Sequence, residues 1–402
     1  MSSRKKVLFI SHDAGMYGAQ KCLLDFLEGL DRNLIEPYVV SHNTGQLTER
    51  CTAVGIPVFI KPLHHWVMPG SHRNQSYFDL ASSVFRGLRA RVWAIAALVQ
   101  RLDVDAIYTN TVTVLEGALA ARITHKPHIW HLHEVVAGNP ELKSLLPQRI
   151  LNWVTGALSD TRIVNSRFNQ KTYGISRLEP KSVLVYNGIN TRIFDPSNRG
   201  NIGEIANLSL PVASKSVIVV GAIHPRKGMD VLLAAARLLC DVRPEIHFLI
   251  VGGDKGRFVD EFKAEINAAK LDSHFHFLGW VDNPAILMAS ADLLVSAARQ
   301  ESFGLTVAEA MASGTPVVST RSGGPQEIIE HLISGMLVPV DAPEDLAQAI
   351  IDVLANPDVA RRFSQNGIRR VNEAFTLTKY VSSIEECILQ SVKSYTAIPP
   401  RI

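Results

Sequence analysis

A rhythm of short, wholly apolar runs, separated by longer stretches of helical period, constrains this chain more than any other feature. In the first half the runs fall at residues 7–11, 37–41, 57–60, 106–109, 128–131, 162–165 and 183–186. Between them apolar residues recur every three or four positions, as over 20–30 and 88–102. After a polar segment at 198–206 the rhythm restarts, with runs at 216–222, 246–251, 275–278, 293–297, 316–320 and 336–340. Short runs of this kind suit strands buried on both faces, and the helical stretches between them suit right-handed crossovers. Two such series predict an α/β fold: two doubly wound, parallel-sheet, Rossmann-like domains facing across a cleft. The expected divisions are an N-terminal domain at 1–190, a linker at 191–212 and a C-terminal domain at 213–376. A last helix within 377–402 is expected to cross back to the first domain.

Composition narrows the class. The 402 residues suffice for two or three domains, and 47% apolar with 20% charged residues excludes wholesale disorder. Lys plus Arg is 41 against 38 for Asp plus Glu, so the near-balance argues against binding nucleic acid along the whole chain. The two halves differ, however. Residues 1–190 carry 21 basic and 14 acidic side chains, while 191–402 carry 20 and 24, which suggests domains that meet different partners. Cys22, Cys51, Cys240 and Cys387 are scattered without a CxxC spacing, so neither a zinc site nor a disulfide framework is expected. The opening apolar run, 7–10, is too short for a signal peptide and reads as a first strand. No run approaches the roughly 18 apolar residues of a membrane span. The expectation is a cytoplasmic protein.

In doubly wound domains ligands sit beyond the carboxyl ends of the strands, where helix starts turn backbone N–H groups outward. The most informative segment there is Glu301-Ser302-Phe303-Gly304-Leu305-Thr306-Val307-Ala308-Glu309. Gly304 lets the backbone approach a ligand, and the helix expected from there to Ala312 favours a phosphate at its start. Glu309 would lie about 8 Å along that helix, at about 1.5 Å per residue. Glu301 and Glu309 can then flank one ligand, and carboxylates suit vicinal hydroxyls. Two solvated surface glutamates would look the same in isolation. The first run of the second series leads into Gly221-Ala222-Ile223-His224-Pro225-Arg226-Lys227-Gly228. Arg226 and Lys227 there can clamp a diphosphate, the first as a fork and the second as a point charge. Gly252-Gly253-Asp254 follows the next run as a further tight turn. No GxGxxG follows a strand and no GxxxxGK[ST] occurs, which counts against an NAD enzyme and a P-loop. In the first half, Gly15-Met16-Tyr17-Gly18 forms a glycine loop, and His131-Leu132-His133-Glu134 ends another strand.

Taken together, these segments resemble the retaining family 4 glycosyltransferases of GT-B fold. The likeness is most specific in the E-S-F-G-L-x-V-x-E-A-M-A-x-G-x-P-V-V signature from Glu301. The Gly18 loop, His133-Glu134, Val164-Asn165-Ser166, Tyr186-Asn187-Gly188-Ile189-Asn190, Arg226-Lys227-Gly228 and Gly323-Gly324-Pro325-Gln326-Glu327-Ile328 follow in the family's order. The resemblance implies transfer of a hexose from a nucleoside-diphosphate sugar to an acceptor with retention at the anomeric carbon. The first domain would then bind the acceptor and the second the nucleotide sugar. Glu309 would hold the ribose and Glu301 the donor-sugar hydroxyls. Arg226 and Lys227 would neutralise the diphosphate, helped by backbone N–H groups of Phe303, Gly304, Leu305 and Gly18. His133 would hydrogen-bond the sugar, and the base would lie near Gly279 and Trp280. Two departures are visible: the family's double glycine is spread over Gly15 and Gly18, and its Pro-Ser before the signature reads Ser296-Ala297-Ala298.

With two cations and a helix start at the diphosphate, no metal and no other cofactor are expected. Asp103-x-Asp105 has a metal-binding spelling but precedes a strand. The acceptor is expected to be a glycan or lipid-linked glycan in cell-surface polysaccharide assembly. Residues 64–101 place His64, His65, Trp66, Arg73, Arg86, Arg89, Arg91 and Arg101 among apolar and aromatic groups, a mixture suited to anionic lipid headgroups at the inner face of a membrane. An ordinary solvated helix fits that segment equally well. Two other functions fit the motifs: a GT-B nucleotide-sugar epimerase or hydrolase, and a sugar-binding protein without catalysis.

Overall fold

The computed structural model describes residues 4–69, 76–139, 142–176, 179, 181–211, 213–253 and 256–396. Arg73 of the basic segment and Asp254 of the glycine turn lie outside them. The chain divides into two compact units, one made of Met1–Gly188 with Leu377–Ile402 and the other of Ile189–Thr376.

The first unit contains β1 (Lys5–Ser11), β2 (Ile35–Ser41), β3 (Val58–Ile60), β4 (Val67–Pro69), β5 (Ala106–Thr109), β6 (His128–Leu132), β7 (Leu142–Ser144), β8 (Thr161–Val164) and β9 (Ser182–Leu184). Seven of them form one sheet in the order β3-β2-β1-β5-β6-β8-β9, parallel throughout. Val7, Leu8, Phe9 and Ile10 of β1 are all buried, which is why that strand shows no polar alternation. The helix Leu88–Leu102 turns Val92, Ile95, Leu98 and Val99 inward, at the helical spacing that marks it in the sequence. β4 and β7 pair antiparallel in a separate two-stranded sheet that the run pattern did not reveal. Three-residue strands are too short to imprint a period on the sequence.

The second unit contains β10 (Lys215–Val220), β11 (Ile246–Val251), β12 (Phe275–Gly279), β13 (Leu293–Ser296), β14 (Val317–Thr320) and β15 (Met336–Val338). They form a parallel sheet in the order β12-β11-β10-β13-β14-β15. The helices Met229–Leu239 and Pro343–Leu354 bury Leu232, Ala236, Leu239, Leu346, Ile350 and Val353 in its core. Each buried Leu, Ile or Val side chain among them contributes about 1.5–3 kcal/mol on removal from water.

Two segments at the domain edges acquire definite places. Residues 191–212, set apart in the sequence as a linker, are counted within the second unit. Their polarity hides local structure. Asn201 caps the short helix Ile202–Ile205, and the Gly200 N–H donates to Ser290 Oγ at 2.9 Å. The last helix, Leu377–Thr396, belongs to the first unit. It buries Tyr380, Ile384 and Ile388, four residues apart, sets Tyr380 edge-on to Phe26 and accepts the Asp31 N–H on Glu385 at 2.7 Å. Among the described residues no helix is long and apolar enough to cross a membrane.

Candidate functional site

Each main sheet reverses its strand order once, between β1 and β5 and between β10 and β13. Loops leaving neighbouring strands at such a point diverge to opposite faces, and a crevice opens between them. The glycine loop leaves β1, the basic turn leaves β10 and the Glu301 loop leaves β13, so these three motifs lie at the two points.

In the second unit the loop after β10 becomes a single 3-10 turn, Pro225–Lys227. His224 Nδ1 accepts the Arg226 N–H at 3.3 Å and so caps the turn. Gly228 follows at φ +67°, and a Cβ there would collide with the Ala297 carbonyl of the loop after β13. Glycine at 228 thus allows the two loops to touch. Across that contact Lys227 Nζ pairs directly with Glu301 Oε1, and Arg226 Nη1 lies 3.8 Å from Glu301 Oε2. Arg226 Nη1 also donates to the Gln300 carbonyl at 2.7 Å. Burial works against a charge on Glu301, yet Lys227 and then Arg226 outweigh it, so its carboxyl lies below the ordinary glutamate range.

Beyond Glu301 the chain buries Phe303 edge-on against Phe375, with ring centres 5.7 Å apart. Gly304 turns at φ +102° and the helix Leu305–Ala312 begins. Val307 and Ala308 both donate to the Gly304 carbonyl, at 3.1 and 3.2 Å. Among the described residues no such bond engages the Leu305 or Thr306 N–H, the donors that an anion would use. Glu309, one helical turn further on, is only 4% exposed, so this glutamate is no solvated surface residue. Gly279 and Trp280 stand at the end of β12, the sheet edge. The Gly279 carbonyl accepts the Gly252 N–H at 2.8 Å, and the exposed Trp280 indole donates to Asp282 at 2.8 Å.

Arg299 organises this loop pair and was not singled out in the sequence. Its N–H donates to the Arg226 carbonyl at 2.8 Å and its Nη1 to the Pro225 carbonyl at 2.5 Å. Its guanidinium also meets both oxygens of Asp230, at 2.9 and 2.6 Å, and Asp341 at 2.6 Å. The available signal was an acid in the first turn of the helix that follows the basic pair.

In the first unit Gly18 is the exposed first residue of the helix Gly18–Gly29. The Gly15 N–H of the same loop is already taken by Asp13, at 2.6 Å. His133 follows β6, is 7% exposed, stacks on His131 with ring centres 3.8 Å apart, and meets Asn110 at 3.2 Å. Burial, with His12 a lesser cause, lowers its pKa to about 3. Glu134 points inward instead, accepting from the Thr111 hydroxyl at 2.7 Å and the Val112 N–H at 3.2 Å. Asn110 also escaped notice, although it directly follows β5, at the reversal point.

The 64–101 segment divides by exposure. Trp66, Val67, Met68, Val84, Val92 and Ile95 belong to the interior. Arg91 is committed to Glu116 at 2.7 Å and to the carbonyls of Arg86 and Val84. Phe78, Phe85 and Trp93 face outward, with Arg86 and Arg89 also exposed. Among the described residues no group of three or more His, Cys, Asp and Glu side chains could hold a metal ion.

Comparison with known proteins bears on the family and the fold. Residues 16–193 match the model of Glycosyltransferase Family 4 and residues 204–370 that of Glycosyl transferases group 1. A D-inositol 3-phosphate glycosyltransferase of Mycolicibacterium gilvum is 30% identical over 344 residues, 82% of this chain and 66% of the relative. A lipopolysaccharide core biosynthesis mannosyltransferase of Rhizobium leguminosarum is 32% identical over 52% of this chain and 60% of its own length. Several other curated relatives are matched over about half their length. In fold, the chain superposes on HepE of Anabaena, solved with UDP and glucose, with a TM-score of 0.78 at 22% identity, over 96% of this chain and 100% of that one. With one family model over each half and a GT-B architecture throughout, the chain belongs to the family 4 glycosyltransferases.

Proposed function

We propose that this protein is a retaining, metal-independent hexosyltransferase. It moves a sugar from a nucleoside diphosphate to a hydroxyl of a glycan or lipid-linked acceptor. One observation carries this reading: Lys227 and Arg226 converge on Glu301 beside the start of the Leu305–Ala312 helix. Two cations and a helix start, all in one unit, supply positive potential where a departing diphosphate gathers charge. Preorganised charge of this kind is typically the largest catalytic contribution.

In the proposed step the bond from the anomeric carbon to the phosphate oxygen breaks, and a bond to the acceptor oxygen forms on the same face. The acceptor proton passes to the departing phosphate oxygen. Glu301 is a poor candidate for a covalent nucleophile, because its carboxylate is held by two cations and its basicity is lowered. Its proposed role is to orient sugar hydroxyls and the cations. Glu309 is assigned to the ribose.

The test is a thermal-shift panel of UDP, GDP, ADP and their sugar conjugates, followed by product analysis with and without acceptor. Stabilisation by a nucleotide sugar and transfer with retained configuration are expected. Donor breakdown or isomerisation that ignores every acceptor would instead indicate a hydrolase or epimerase. In the transfer assay Lys227→Ala should lower the rate at least a hundredfold, the scale of losing one charge-stabilising donor. An unchanged rate rejects the clamp.

A membrane-bound acceptor is favoured by exposed Phe78 and Phe85 close in sequence to exposed Arg86 and Arg89. Flotation with anionic liposomes should fall when Arg86 and Arg89 become Glu. Equal flotation rejects that part of the reading.

A further inference from the structure

Asn110 directly follows β5, where the strand order of the first unit reverses. Its Nδ2 donates to the Ala19 carbonyl at 2.8 Å, in the first turn of the helix that starts at Gly18. A carbonyl oxygen can only accept, so this contact settles which end of the amide is which. The Oδ1 end therefore faces His133 Nε2, at 3.2 Å. An amide oxygen at that place demands a proton on Nε2.

The His133 ring is neutral at physiological pH, because its burial opposes charge and lowers its pKa to about 3. A neutral imidazole holds one proton, and with that proton on Nε2 the lone pair is on Nδ1. Among the described residues Nδ1 has no hydrogen-bond partner, although the side chain is only 7% exposed. The ring is also confined on one face by His131, stacked at 3.8 Å, while Tyr108 holds His131 through a 2.5 Å bond to Nδ1.

We propose that Asn110 is a positioning residue, which holds His133 in the Nε2–H tautomer so that Nδ1 accepts a hydrogen bond from a substrate hydroxyl. This rests on the glycosyltransferase reading. It adds that His133 is an acceptor only, and that one amide fixes both the ring and the helix start at Gly18. Recognition at this point then selects for a hydroxyl that can donate. A deoxyfluoro sugar, whose fluorine cannot donate, is discriminated against as strongly as the deoxy sugar.

The decisive measurement reads the tautomer in the native protein, with one variant used for assignment. In the full chain carrying nitrogen-15 histidine, two-bond correlations report the tautomer of each ring, and His133→Gln identifies the His133 signals. The Nε2–H pattern is expected in the native protein, and a mixed or Nδ1–H pattern in Asn110→Ala. Transfer by Asn110→Ala should fall about tenfold or more in kcat, the worth of one hydrogen bond, with a smaller change in KM. Asn110→Asp still accepts at the same place and should keep the tautomer. Its charge should raise the His133 pKa and shift the acid limb of the rate profile upward. An Nδ1–H ring in the native protein, or Asn110→Ala with native tautomer and rate, overturns the proposal. Should no nucleotide sugar bind or react, the glycosyltransferase reading fails, while the tautomer result separately shows whether Asn110 orients the ring.

Discussion

Arg299 grips Asp230 with a fork, Nη1 to Oδ1 at 2.9 Å and Nη2 to Oδ2 at 2.6 Å, and from there carries the basic turn at Pro225–Lys227 on its remaining bonds. Two parallel hydrogen bonds fix direction as well as distance, which a point charge cannot do. Arg299→Lys keeps the charge and loses the fork. It should lower kcat/KM for the donor about tenfold with little change in melting temperature, because the pairs are largely exposed and such pairs contribute little to stability. Donor kinetics beside a melting curve check this. A large loss of melting temperature with native kinetics would show that the network serves stability alone.

Gly228 has a backbone that side chains resist and a neighbour that leaves no room for one. Gly228→Ala should cost at least the roughly 1–2 kcal/mol of a left-handed residue. The collision with Ala297 should also push Lys227 away from Glu301. Calorimetry and nucleotide titration should register both losses together, whereas Gly253→Ala, with open space around it, should register neither.

Glu301 sets a limit toward acid. Its carboxyl titrates below the ordinary glutamate value near 4.5, because its two cations overcome the penalty of burial. The folded state thus binds its proton less readily than the unfolded chain. Its stabilising contribution is fully present above that ordinary value and is lost as pH falls through the lower folded one. Melting temperatures of the native chain and Glu301→Gln should therefore differ by a constant amount near neutrality and converge only below about pH 4.5. Convergence already at pH 6 would contradict the pairing.

The buried histidines act in the opposite region. Burial lowers His12 and His65 to about 4 and His128 and His133 to about 3, and carries His131 well below its usual value. Between the ordinary 6.5 and those values the unfolded chain takes up protons that the folded one refuses. Stability should accordingly fall with pH across that window, by up to about 1.4 kcal/mol per pH unit for each such ring. Urea titrations between pH 7 and 4.5 check the slope. It should be shallower in His128→Asn, provided that variant folds.

The sheets were legible because a strand buried on both faces must be apolar throughout. The runs at 106–109 and 246–251 coincide with β5 and β11. The basic turn and the Glu301 loop were legible because each follows such a strand directly. Arg299 and Asn110 were not. Their importance lies in partners 69 and 23 residues away in sequence, Asp230 and His133, and no local spacing records such a meeting. Arg91 misled for the same reason. Its position among exposed arginines gives no sign of Glu116, 25 residues further on.

The first unit is discontinuous in sequence, whereas the second is one uninterrupted stretch from Ile189 to Thr376. On the ribosome the later-made unit therefore has all its residues before the earlier one does. The helix at Leu377–Thr396 follows the whole of the second unit, so Phe26 must wait for Tyr380 until that unit has been made. A premature stop near residue 376 would leave the second unit whole and strip the first of its final covering helix. Loss of the chain after residue 376 thus wounds the half of the molecule that was begun first.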